Sequence, residues 1–258
     1  MKLYAIREVA ALTGIKPVTL RAWQRRYGLI QPQRSESGHR LYSEEHLERI
    51  RQIQNWLDKG VSVGKVRALL GTEEKGISGC EAAELEEVAD LLEALASLNS
   101  GKADTIITNV LKEYPLSVAE SQFSAPVERS LVSVKSSLRT LQKGLYQSLM
   151  NHHLYQIIDA ENRASTKDKG KLLFISLDHI GSIAALYEAG KQAEKRFHVT
   201  FLDGAEDVSG IKNMSGLEQF NQLHLFANRT LPVHILKQIF HLTSSLRMDV
   251  ICSGLIEL

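Results

Sequence analysis

The chain has 258 residues, 43% of them hydrophobic and 24% charged, a length and composition that fit a soluble protein of one large domain or two to three small ones. No run approaches the roughly 18 apolar residues that a membrane span needs. The N-terminal MKLYAIREVAALTG carries an acid and an arginine where a secretory signal would need its apolar core, so a cytoplasmic protein with no membrane association is expected.

The net charge of +1 conceals an asymmetry. Residues 1–72 hold 13 Lys/Arg against 6 Asp/Glu, a balance of +7, whereas the remainder holds 18 against 24, a balance of −6. A basic, nucleic-acid-binding head followed by an acidic body is the expected organisation. Cys80 and Cys252 are the only cysteines, far apart and without metal-ligand spacing, so reduced thiols and no metal site are expected.

Residues 4–14 read as a first helix with Ile6, Val9, Ala10 and Leu12 inward, and Gly14 permits a tight turn. Pro17 suits the first position of a second helix. In this helix, 17–27, Leu20, Trp23 and Tyr27 form the apolar stripe, and Thr19, Arg21, Gln24 and Arg25 fall largely off it. Gly28 and Gln31-Pro32-Gln33 end the helix. Arg34, a turn-forming stretch to Gly38, and His39-Arg40-Leu41-Tyr42 then predict a two-stranded hairpin with a basic tip over 33–42. A helix of this kind fits the DNA major groove, where Arg grips guanine O6/N7 and Gln pairs with adenine. The hairpin reaches backbone phosphate or a minor groove. Ser43 caps a third helix whose stripe is Leu47, Ile50, Ile53, Gln54 and Leu57, with Trp56 in the core, and a fourth helix covers 61–71.

This stretch, TLRAWQRRYGL followed by PQRSESGHRLY, resembles the winged helix-turn-helix of MerR-type transcriptional regulators. The resemblance is to the MlrA-like branch, which shares its layout with the cobalamin photoreceptors of the CarH and LitR kind. By that resemblance Arg21 and Gln24 are the base-contact candidates, and Thr19, Arg25, Arg34, His39 and Arg40 contact phosphate or form the wing. Trp23 sits at an aromatic position that is half packing and half backbone contact, and Lys16, Pro17 and Tyr42 complete the expected DNA-binding set. Double-stranded DNA is thus the expected partner, bound by a homodimer.

The Gly- and charge-rich segment at 73–80 reads as a linker, which would leave the head (1–72) on a tether. Residues 81–165 predict a helical bundle: a helix from Glu81, one over 102–115, a candidate at 117–123, and a long one opened by Pro126 that divides near Gly144. A second linker follows at 165–170. Residues 166–258 alternate strand and helix: strands at 171–177, 197–204, 223–228 and 249–256, helices at 179–196 and 231–247, and a short helix near 209–221. A parallel, flavodoxin-like α/β sheet in the order 2-1-3-4 is expected, one strand and helix short of a full doubly wound domain.

In the cobalamin regulators that the layout resembles, the first strand is followed by an Asp-x-His-x-x-Gly loop whose His ligates cobalt. Its glycine matches Gly181, which puts Asp178 at the ligand position and His179 one place late. The Ser-rich turn is Ala227-Asn228-Arg229-Thr230, the late Gly-Gly pair is Ser253-Gly254, and the Trp…Glu-His bundle motif falls on Leu141, Asn151 and His152. The resemblance therefore implies a truncated, degenerate cobalamin-binding-like domain and no cofactor, with Asp178, His179, Gly181 and His152 as the residual positions. An enzyme is not expected: Asp178 and Asp203 stand at strand ends, but no acid, lysine, phosphate loop or nucleophile elbow accompanies them. The implied function is activation of biofilm-matrix (curli-type) genes, with cyclic-di-GMP-metabolising proteins as partners of the C-terminal half. The alternative is a cobalamin- or small-molecule-sensing, light-responsive regulator.

Overall fold

The computed structural model describes residues 2–70, 84–133, 137–164 and 169–256. The linker expected at 73–80, Cys80, and most of the linker at 165–170 lie outside them. The chain divides into two compact units, Met1–Tyr146 and Gln147–Leu258.

The first unit opens with a two-residue strand, β1 (Tyr4–Ala5), where a helix was expected. The strand exists because it pairs antiparallel with a wing strand, Tyr4 opposite Tyr42 and Ala5 opposite Leu41. Helix α1 (Ile6–Thr13) begins where the Glu8 carboxylate accepts the Ala5 N–H at 2.6 Å. It ends at Gly14, whose φ of +73° is free to a residue without Cβ. Helix α2 (Pro17–Arg25) starts on Pro17 and ends two residues earlier than the sequence predicts. Strands β2 (Gln33–Arg34) and β3 (Arg40–Tyr42) form the wing, with β3 in the middle of the sheet order β1-β3-β2. Helix α3 (Glu44–Asp58) follows Ser43, whose N–H donates to His46 Nδ1 at 2.9 Å, and α4 (Val63–Leu69) completes the head. Val9, Leu20, Trp23, Ile50 and Ile53 are wholly buried, and Trp56 lies in the core as expected.

The helical region consists of α5 (Glu87–Ala96), α6 (Ser100–Glu113), α7 (Leu116–Ala119), a π-turn (Glu120–Ser124), α8 (Ala125–Ser133) and α9 (Leu138–Arg163). Among the described residues α5 starts only at Glu87, since the Leu85 N–H is given to the Gln122 carbonyl at 2.9 Å. Helix α6 is capped by Asn99, whose side chain accepts the Lys102 N–H at 3.0 Å. The expected division near Gly144 is absent. Helix α9 runs through this glycine, because one Gly costs a helix only about 1 kcal/mol and 26 residues of context outweigh it. Pro126 opens α8, which is not the longest helix.

The tethered head is also corrected. The head and the helices up to Tyr146 form one compact unit. The Gln122 amide donates to the Leu57 carbonyl at 2.7 Å, and the Tyr114 hydroxyl accepts the Val63 N–H at 3.4 Å. Helix α6 and the π-turn thus pack on the head within this unit, and the Gly-rich segment itself lies outside the described residues.

The second unit is a four-stranded, wholly parallel sheet: β4 (Lys171–Ser176), β5 (His198–Leu202), β6 (Gln222–Ala227) and β7 (Asp249–Gly254), ordered β5-β4-β6-β7. This is the predicted order 2-1-3-4, reached through helices α10 (Ile183–Glu194) and α11 (Val233–Ser245). The region near 209–221 holds two 3-10 turns, Ile211–Asn213 and Leu217–Gln219, in place of a helix. Leu173, Ile175 and Leu225 of the sheet pack with Ile235, Ile239 and Leu242 of α11. The outer edge of β5 is closed by Asn162 of α9, whose amide accepts the Val199 N–H at 2.9 Å and donates to its carbonyl at 2.8 Å. No helix among the described residues is long and apolar enough to cross a membrane.

Candidate nucleic-acid interface

Helix α2 has two faces of opposite character. Thr19, Leu20 and Trp23 are buried inward. At 100° per residue, Arg21 and Arg25 project from the other side and are exposed, with Gln24 half-buried at the margin. Lys16 and Pro17, at the helix start, are half-buried. The wing stands beside this face. Arg34 pairs in register with Arg40, and the tip is closed by Ser35 N–H to His39 carbonyl (2.9 Å) and Gly38 N–H to Ser35 carbonyl (2.8 Å), with Gly38 at φ +81°. Arg34 and His39 are exposed, and Arg34 Nη1 reaches the Gly38 carbonyl at 3.3 Å. Arg40 turns back to the helix: its Nε donates to Gln24 Oε1 at 2.5 Å. Wing and recognition helix are thereby joined through two of the residues picked from sequence.

Three members of the expected set lie inside. Trp23 is fully buried and its indole N–H donates to the Glu113 carbonyl at 2.7 Å. The packing half of the expectation describes this placement. Thr19 and Tyr42 are also buried, their hydroxyls without a partner among the described residues. Burial pushes the Tyr42 phenol up, against the opposing pull of Arg40 and Arg21, so it stays neutral and supports the wing from beneath. The sequence reading missed Arg26, Tyr27 and Glu113. The Glu113 carboxylate, almost wholly buried, meets both the Arg26 guanidinium and the Tyr27 hydroxyl. By its spacing Tyr27 belongs to the apolar stripe, and nothing in the sequence couples it to a glutamate 86 residues away.

At the C-terminal end of the parallel sheet, Asp178 is buried. Its Oδ1 accepts the Asn228 N–H and its Oδ2 the Ser182 hydroxyl, both at 2.7 Å. Arg229 Nε donates to the Leu177 carbonyl at 2.9 Å. His179 is exposed on the same loop. Gly181, at φ +83°, donates its N–H to Asp203 at 2.8 Å and accepts the Gln147 amide at 2.9 Å and the Asn151 amide at 3.4 Å. The Tyr155 hydroxyl also reaches Asp203, at 3.2 Å, and its pKa is pushed up to about 12, by burial first and then by that carboxylate. His152 is exposed on α9 with Nε2 2.9 Å from the Gln156 amide nitrogen. Among the described residues no group of three or more His, Cys, Asp or Glu is arranged to hold a metal ion.

A model of MerR HTH family regulatory proteins matches residues 4–73, the head just described. The chain is 40% identical over 152 residues to the HTH-type transcriptional regulator MlrA of Escherichia coli (strain K12), covering 59% of this chain and 61% of that one. It is 36% identical over 169 residues to the HTH-type transcriptional regulator MlrA of Salmonella typhimurium (strain SL1344), covering 65% of this chain and 68% of the relative. The HTH-type transcriptional repressor CarA of Myxococcus xanthus is 29% identical over 177 residues, 67% of this chain and 59% of its own. The match thus spans only 61% of the Escherichia coli relative's length. With the winged helix-turn-helix geometry, these matches show that the chain belongs to the MerR family of helix-turn-helix regulatory proteins, in its MlrA-like branch.

Proposed function

We propose that this protein is a sequence-specific, DNA-binding transcriptional regulator that lays α2 in the major groove and the β2–β3 wing on the flanking backbone, and that it binds two-fold operators as a homodimer. The observation that carries the reading is the outward face of α2, where Arg21 and Arg25 are exposed beside the exposed Arg34 and His39 of the wing. Selection of duplexes from a random pool by the full chain tests it. One enriched motif with two-fold related half-sites is expected; a pool that enriches nothing overturns it.

The bond between Arg40 and Gln24 refines the specificity. Arginine has no acceptor, so the amide oxygen of Gln24 must face it. Gln24 then turns its N–H donors toward the groove, and these suit the two acceptors of guanine, N7 and O6, better than the acceptor–donor pair of adenine. Arg40→Ala is expected to weaken binding to all duplexes, to lower the salt slope by about 1, and to release Gln24 toward adenine. Repeating the selection and the salt titration checks this. An unchanged slope with unchanged base preference removes Arg40 from the interface.

The residues at the sheet's C-terminal end do not fit cobalamin, and we infer that it is not a ligand of this chain. Three features support the inference. Asp178, at the ligand position, spends both oxygens on Asn228 and Ser182. The glycine of the loop is bonded to Gln147 and Asn151 of α9. A carboxylate is also a harder donor than imidazole. Protein incubated with adenosyl- or methylcobalamin and desalted is expected to show no visible absorption band. A retained band restores the light- or cofactor-gated alternative, with His179 and His152 to be replaced next. In place of a cofactor, the acidic C-terminal half serves as the signal-input surface, and the resemblance points to cyclic-di-GMP-metabolising proteins as its partners and biofilm-matrix genes as the targets. Co-purification of such a partner with residues 81–258 in the full chain tests that assignment.

A further inference from the structure

We infer that Glu113, the last residue of α6, is the positioning residue for the recognition helix: it fixes the angle at which α2 presents Arg21, Gln24 and Arg25. The inference deepens the DNA-binding reading above and rests on it. Trp23, Arg26 and Tyr27 stand at i, i+3 and i+4, one face of α2 and its C-terminal turn. Glu113 engages all three. Its main-chain carbonyl accepts the Trp23 indole N–H at 2.7 Å, and its carboxylate takes the Arg26 guanidinium and the Tyr27 hydroxyl. Arg21 and Arg25 lie on the opposite side and remain exposed, so the grip leaves the outward face free.

The chemistry makes the grip specific to one geometry. The Glu113 side chain is 4% exposed. A carboxylate this far from water is tolerated only while paired and hydrogen-bonded, which is why buried charges act as registry devices. An aliphatic contact would let α2 rotate by a few degrees at little cost; a carboxylate held by a guanidinium and a phenol does not. The platform behind Glu113 is itself tied to the head, through the Tyr114 hydroxyl to Val63 N–H and the Gln122 amide to the Leu57 carbonyl. Base readout needs reading side chains placed within a fraction of an ångström, whereas phosphate contact tolerates more. Loss of Glu113 therefore removes sequence discrimination before it removes affinity.

The test uses the full chain and the duplex that the wild-type protein selects. Glu113→Ala and Tyr27→Phe are titrated against that duplex and a random one, by fluorescence anisotropy well below the melting temperature. The expected result for Glu113→Ala is a fall of about tenfold or more in the ratio of specific to random affinity, with random-duplex affinity and its salt slope unchanged. Tyr27→Phe removes one hydroxyl and should fall in the same direction by less. Combining Glu113→Ala with Arg26→Ala should cost less than the sum of the two single losses, because the two share one contact. An unchanged ratio, or equal losses on both duplexes, overturns the proposal; should Glu113→Ala not fold, Tyr27→Phe decides alone. A wild-type chain that selects no motif overturns the regulator reading, and this proposal with it.

Discussion

Replacing Arg21 with alanine is expected to lower affinity for the selected operator about ten- to a hundredfold per half-site and to leave affinity for random duplex nearly unchanged. Arg21 is exposed on the outward face of α2, away from Leu20 and Trp23, so its removal opens no cavity. A bidentate arginine on guanine O6/N7 discriminates against the wrong base by about 1–3 kcal/mol, and each 1.4 kcal/mol is a factor of ten. Arg25, also exposed, is the internal control. If it holds phosphate, Arg25→Ala lowers binding to every duplex by a similar factor and flattens the salt dependence by about one counterion. Parallel titrations at two salt concentrations separate the two behaviours. Equal losses on operator and random DNA for Arg21→Ala would place Arg21 on the backbone and leave the base reading to Gln24.

The head was legible from sequence because its signals are local. Gly14 and Gly38 hold left-handed turns, Pro17 starts α2, and the stripe of Leu20 and Trp23 fixes its buried face within a few residues. The parallel sheet was legible for the same reason: β4 is one continuous apolar run with all but its first residue buried. What escaped the sequence is long-range. The strand Tyr4–Ala5 exists only through its pairing with residues 41–42. The indole partner of Trp23 is a carbonyl 90 residues away, on a helix that composition assigned to a separate domain. A lone glycine such as Gly144 is a weak break signal, whose effect depends on what surrounds it. Asp178 was visible as a departure from the resembled loop, yet its bonds to Ser182 and Asn228 need the crossover that brings residue 228 beside residue 178.

Trp23→Ala is expected to destabilise the first unit by about 3–5 kcal/mol, the range for truncating a buried tryptophan. The side chain is fully buried, so the cavity is not open to solvent. Its loss also strips the Glu113 carbonyl of a donor in a dry site, a penalty of about 1–3 kcal/mol on its own. Against a total of about 5–15 kcal/mol for a typical folded domain, that is a large share, and the urea midpoint should drop with little change in slope. Trp23→Phe separates the contributions, since the ring refills most of the space but donates nothing; a loss of about 1–2 kcal/mol is expected. Trp56 is the other of the two tryptophans. It keeps a fluorescence signal in both variants, beneath Lys59 Nζ at 5.0 Å from its ring. A variant that binds DNA weakly at unchanged stability would return Trp23 to the role of a backbone contact. Loss of stability, with DNA binding lost only in proportion to the unfolded fraction, would make it the bolt between recognition helix and α6, and would leave the grip of Glu113 on Arg26 and Tyr27 as the adjustable part of the joint.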